Sequence, residues 1–372
     1  MSIYLYESIS GNVVNVGNYV IGEDKLELKY GVRELDEVLG VTLNRYIDGV
    51  LNNNPIVDNE NSNIIPGRLY VNPGVAVGGN GSLDAPFSTL QAAYDAASLI
   101  ASSTNTIFIV LLKGNTQATS ETVTFSKGHI FLVGDISSGT HAPIIFYGNL
   151  IFTGPNASIS ENHFAIQGIE LIGASGTAVI TFSGTFPQRL FLKDVWITAN
   201  GNIHGMLMTN TGTNSSVHAN ELKLSHNGTG HFHCLDITAG TANLDALETS
   251  GVGVAAIGVD GGSCNLRNSE IECGGTYAID VYAGGTLTVA NTMITTTAAA
   301  SDGIILRAAT ALAVVGNTSF RVPSANANNR AINGVAGTAL YYSNLFFFPG
   351  YTDKISSGIT SALIDSTPTF TV

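Results

Sequence analysis

The residues able to do chemistry in this sequence are a few spaced acids, a run of histidines and several aromatics. Glycoside hydrolysis needs two carboxyl groups, about 5–5.5 Å apart for retention of configuration or about 6.5–9.5 Å for inversion. Two sets of acids could be brought to such spacing: Glu248, Glu270 and Glu272 in one, Asp236 and Asp280 in the other. His218, His226, His231 and His233 fall within 16 residues and raise metal ligation. Strand alternation would put His231 and His233 on one face, whereas His218 lies in a different segment and His226 in a turn. Convergence on an ion is therefore not expected, and neither a metal nor another cofactor is. Trp196, Tyr277 and Tyr282, with Tyr341 and Tyr342, offer flat faces on which sugar rings can stack. Cys234, Cys264 and Cys273 are an odd number inside apolar segments and read as buried free thiols.

Whether any of these residues meet depends on the elements that carry them, and the chain is repetitive. An apolar residue three places after a turn recurs as Leu171, Ile197, Leu224, Leu247, Ile271, Ile294, Phe320 and Phe347, at intervals of 23 to 27 residues. The turn position itself holds Gly168, Asp194, Glu221, Leu244, Asn268, Asn291, Asn317 and Asn344. Asn tolerates left-handed backbone angles and its amide can bond its counterpart one repeat along, so the last four predict an asparagine ladder. A second strand recurs as Cys234–Ile237, Ala256–Val259, Ala278–Val281, Gly303–Leu306 and Ala331–Val335, and a third as Gly262–Leu266, Gly285–Val289 and Gly337–Tyr341. Three short strands per repeat, each stacked about 4.8 Å from its counterpart, make an all-β, right-handed parallel β-helix. About ten coils are expected between residues 68 and 348. In this register Glu248 and Glu272 point outward from adjacent coils, and Asp236 and Asp280 share a column with Gly258 between them, about 9.6 Å apart.

A stack of coils needs a cap over its first apolar edge. Ser88-Thr89-Leu90-Gln91 has the pattern of a capping box, with Leu90, Ala93, Tyr94 and Ala97 on one face of a helix over 89–101. Residues 1–67 hold many of the acids, with a helix expected over 32–51, and are expected to form a small α/β attachment or oligomerisation region. Residues 349–372 are expected to pack on the last coils or on a neighbouring subunit. In the run Leu345-Phe346-Phe347-Phe348 only part can face one core.

The net charge of −13 and the absence of Lys or Arg clusters argue against nucleic acid. The longest apolar run, 107–112, is far shorter than the roughly 20 residues that span a bilayer, so no membrane insertion is expected. The first residues lack the basic and apolar regions of a secretory signal, which predicts synthesis and release in the cytoplasm.

Leu69-Tyr70-Val71-Asn72-Pro73-Gly74, then Gly78-Gly79-Asn80-Gly81-Ser82-Leu83-Asp84-Ala85-Pro86-Phe87-Ser88-Thr89-Leu90-Gln91 and the helix after it, resemble the segment leading into the first coil in the pectin-lyase-like superfamily. That resemblance covers about three-quarters of the chain with the repeats, and implies fold more than activity, since the superfamily spans lyases, hydrolases, esterases, adhesins and phage tail spikes. Gly114-Asn115-Thr116-Gln117-Ala118 lacks the Tyr and Glu of the methylesterase element, and no calcium-binding aspartate cluster with a catalytic arginine is present. The layout most resembles bacteriophage virion structural proteins. It implies a short tail spike or fibre or a head-decoration protein, homotrimeric, located in the virion, joined to other virion proteins through residues 1–67 and able to bind host surface glycans. The alternative is a glycan depolymerase of the glycoside hydrolase type acting through one of the carboxylate sets, on bacterial surface polysaccharide.

Overall fold

The computed structural model describes residues 67–75, 79–112, 120–135, 144–154, 162–173, 175–228, 230, 232–251, 253–298, 301–322, 326–348, 351–363 and 370–371. The helix expected over 32–51 and the attachment region lie outside these residues. Every paired strand is parallel to its neighbours, and the strands form a β-solenoid of about eight turns, fewer than the ten read from the spacing. No described helix is long and apolar enough to cross a membrane. The chain divides into two compact units.

The first unit holds the strands Arg68–Val71, Ile107–Leu111 and Ile130–Gly134 and the start of Asn162–Gly173. Leu69 stacks on Ile109, Ile109 on Leu132 and Leu132 on Ile166, all of them fully or almost fully buried. The helix Leu90–Ile100 packs on the first two strands with Leu90, Ala93, Tyr94 and Ala97 buried. It closes the apolar edge that an uncovered first strand would expose. Its cap differs from the expected box: Thr89, in extended conformation, accepts from the Ala92 amide at 3.1 Å, and Gln91 donates to Asp95. Ser88 is one residue too early, because the helical angles begin at Leu90.

The second unit carries the repeats. One ladder runs Val123, Leu150, Ile180, Met206, Leu235, Ile257, Ile279, Ile304 and Ile332, each stacked on the next. The other ladder is made of long strands, such as Gln188–Ala199, Ser216–His226 and Thr241–Gly251, which bend at one residue into two limbs. Two limbs and the strand of the first ladder give the three-sided coil. Leu345 and Phe347 point into the core while Phe348 is exposed, the alternation a half-buried strand requires. The C-terminal segment continues the stack: Tyr351–Ile355 pairs with Asn326–Gly334, and Thr360–Leu363 and Phe370–Thr371 pair with Ala339–Phe347. All three cysteines are free and buried, and burial pushes the Cys264 thiol up to about 12 and Cys273 to about 11.

Candidate functional site

The bend in each long strand requires a residue with positive φ. Asp194, Glu221, Ala246, Asn268, Asn291, Asn317 and Asn344 fill it, with φ between 47° and 60°. A left-handed residue is costly for most side chains and cheapest for Asn, Asp and Gly. The ladder bonds are present: Asn291 Nδ2 donates to Asn268 Oδ1 at 3.3 Å and Asn317 Nδ2 to Asn291 Oδ1 at 2.6 Å. At Ala246, which has no amide, the preceding Asp245 accepts from Asn268 at 2.7 Å instead.

One repeat differs from the register read in the sequence. The bend falls at Ala246 rather than Leu244, and the residue stacked between Leu224 and Ile271 is Thr249 rather than Leu247. Thr249 is buried with its hydroxyl donating to the Glu272 carbonyl at 3.1 Å, so an inward polar residue hid the repeat. Leu247 is also buried, two places earlier, stacked on Leu222. In consequence Glu248 stands opposite Glu270, and Glu272 lies two residues further along the strand.

An open groove of 760 Å³ follows this bend across successive strands, lined by the ladder residues Asp194 to Asn317 and by the outward column Trp196, Lys223, Glu248, Glu270, Met293 and Ser319. Trp196 is 40% exposed, with the Lys223 ammonium 5.5 Å from its ring centroid. Lys223 is ion-paired with Glu248. Glu272 lies in a smaller adjoining hollow of 290 Å³ with Glu248 and Glu270.

At the end of the groove beside Trp196 the ladder turns acidic. Desolvation, and then the hydrogen bond shared with Glu221, push the Asp194 carboxyl up to about 6 against the pull of Lys193. That same hydrogen bond, helped by Lys193 at 3.2 Å, holds Glu221 below its ordinary value. Asp194 and Glu221 thus titrate together as a proton-sharing pair. The sequence placed both at turns; the signal for chemistry was acids occupying ladder positions that elsewhere hold Asn.

The second acid set is in different surroundings. Asp236, Gly258 and Asp280 share a column as the repeat implied. Asp280, however, is fully buried and held by Arg307 through two bonds of 2.7 and 2.8 Å. Arg307 in turn stacks against Tyr277 at 4.6 Å and Tyr282 at 5.3 Å, occupying the ring faces that a sugar would need. Among the aromatics singled out for sugar binding, Trp196 alone lines the groove.

The histidines separate as well. His218 stacks on Phe191 and bonds Ser216. His226 is buried near Phe232, and His231 lies outside the described residues. His233 meets His204 and Asp236, whose ligand atoms all lie within 4.8 Å of one another. His204 comes from the preceding coil, 29 residues away, which local spacing could not reveal. Burial pushes the His204 imidazole down, against the pull of Asp236. Compared with protein-family models, curated proteins and solved structures, the chain matches none.

Proposed function

We propose that the protein is a structural component of a bacteriophage particle, a short tail spike or fibre or a head-decoration protein, whose solenoid receives a host surface glycan in the Trp196 groove. The observation that carries glycan binding is the groove itself, with an exposed indole beside a row of stacked amides. Its lining spans six successive strands, from Trp196 to Ser319, or about 24 Å at the spacing of stacked strands. Such a groove suits an extended chain of several sugars, with amides hydrogen-bonding hydroxyls and the indole stacking on a ring face. Support for a place on the particle comes from the resemblance of the segment before the helix and from a sequence whose repeats begin only after a compositionally different first 67 residues. Residues 1–67 are assigned to attachment and to homotrimer formation.

Titration of purified protein with polysaccharides from candidate hosts tests the binding. Saturable binding that Trp196→Ala weakens at least about tenfold, the loss of one stacking hot spot, is expected. Equal affinity in the variant would reject the groove. Deletion of residues 1–67 tests the particle assignment: the deleted chain should stay folded and fail to join particles, and normal incorporation would reject it.

Hydrolysis is a second reading, favoured by Glu248 and Glu270, which stand opposite each other on adjacent strands in the groove, at about the 4.8 Å strand spacing and so near that of a retaining pair. It requires new reducing ends on incubation with the bound glycan, lost in Glu248→Gln and Glu270→Gln. Binding without cleavage leaves the groove a receptor site.

A further inference from the structure

We propose that His204, His233 and Asp236 form a binding site for a divalent transition-metal ion of the zinc type, outside the groove. Three strands build it. His204 opens the strand His204–Thr209, His233 and Asp236 lie on His233–Ala239, and Gly258 sits on Ala255–Val259 opposite Asp236. Positions three apart on a strand usually face opposite ways, but Cys234 and Leu235 are both buried. The break in alternation leaves His233 and Asp236 on the same outer side.

The distances favour coordination over direct hydrogen bonding. Asp236 Oδ1 is 3.5 Å from His233 Nδ1 and Oδ2 is 3.8 Å from His204 Nε2. Charge-assisted bonds would close to about 2.7–2.9 Å. Around one tetrahedral ion, with ligand bonds of about 2.0–2.2 Å, ligand atoms instead lie about 3.3–3.6 Å apart, close to both separations. His233 is 8% exposed, and its Nδ1 is buried without a hydrogen-bond partner, an arrangement a protein rarely keeps without a ligand. Gly258 holds the space open. A Cβ there would come within 2.7 Å of His233 Nδ1 and 2.9 Å of Asp236 Oδ1.

Two imidazoles and one carboxylate select a borderline ion over calcium or magnesium, and leave at least one position for water. One bond opposes the ion. His204 Nδ1 accepts from the His233 amide at 3.3 Å, and ligation through Nε2 moves the remaining ring proton to Nδ1, so this long contact is exchanged for a coordinate bond. The ion would pin one coil to the next, stabilising the fold by an amount that grows with the logarithm of its concentration above Kd.

The test uses the full-length chain without a histidine tag, stripped with EDTA and desalted. Titration with zinc chloride should give one ion per chain and raise the melting temperature, and cobalt chloride should give the visible absorption of a low-coordinate site. His204→Gln, Asp236→Asn and Gly258→Ala should each weaken zinc by about tenfold or more. The circular dichroism of all three, and the melting in EDTA of His204→Gln and Asp236→Asn, should match those of the parent, while His218→Gln should bind as the parent does. Zinc that fails to bind the parent, or that binds the His204→Gln/Asp236→Asn double variant with parental affinity, overturns the proposal.

Discussion

At the bend of each long strand a single residue must accept left-handed angles and also satisfy the amide of its neighbour. Asn291 does both, bonding Asn268 on one side and Asn317 on the other. Asn291→Ala should lose two exposed amide bonds and add left-handed strain, destabilising by about 2–3 kcal/mol in urea unfolding. Asn291→Gly keeps the angle without the strain and should be about 1 kcal/mol milder. Ala246, native at φ 57°, shows that one break is tolerated where a neighbouring carboxylate supplies the acceptor. Asp194 gives a prediction with a sign. Its folded pKa is raised from 3.8 to about 6, so its contribution is fully present below pH 3.8 and is lost as pH rises through 6. Asp194→Asn should therefore gain stability relative to the parent as pH goes from 4 to 7.5. The side chain is half exposed, so screening limits the gain to about 1 kcal/mol, readable in thermal melts at the two pH values.

Among the elements, the helix Leu90–Ile100 and the coil carrying Arg307 make separable predictions. Thr89→Ala should cost about 1 kcal/mol, because the Ala92 amide loses its acceptor, whereas Ser88→Ala should change melting little. Equal losses at the two positions would restore the capping box that the sequence suggested. Arg307→Ala should be far more severe. It strips the partner from a fully buried Asp280 carboxylate, which costs about 3–5 kcal/mol on breaking a buried pair, measured by denaturant unfolding at pH 7. Tyr277 and Tyr282 each turn a ring face to that same guanidinium.

Across the whole molecule, acids exceed bases by 28 to 15, and the groove repeats the bias with Asp194, Glu221, Glu248 and Glu270 against Lys223. A glycan rich in uronate or phosphate would meet like charge, so a neutral or amino-sugar chain is the expected occupant. Binding of a neutral chain should change less than about twofold between 50 and 200 mM salt, because no ion pairs form with it. An anionic chain binding more tightly as salt is lowered would contradict this electrostatic reading.

The sequence alone makes the solenoid legible. Its three-strand repeat, its ladder of Asn268, Asn291, Asn317 and Asn344, and the column of Asp236, Gly258 and Asp280 follow from side-chain alternation and from the special angles of asparagine, which are local properties. It also marked Trp196 as outward, since the residue beside an inward Ile197 must face away. The tertiary structure alone decided what met across coils. Thr249 faces inward because its hydroxyl finds a neighbouring carbonyl, which moves Glu248 opposite Glu270. Arg307 reaches Asp280 from the next coil, and His204 reaches His233 from the one before. Those partners stand 27 and 29 residues apart, about one turn of the solenoid, and only the exact length of each loop fixes which side chains lie opposite. A separation of stacked partners that varies from 22 to 30 residues along the Val123 to Ile332 ladder leaves that register undetermined until the strands are paired.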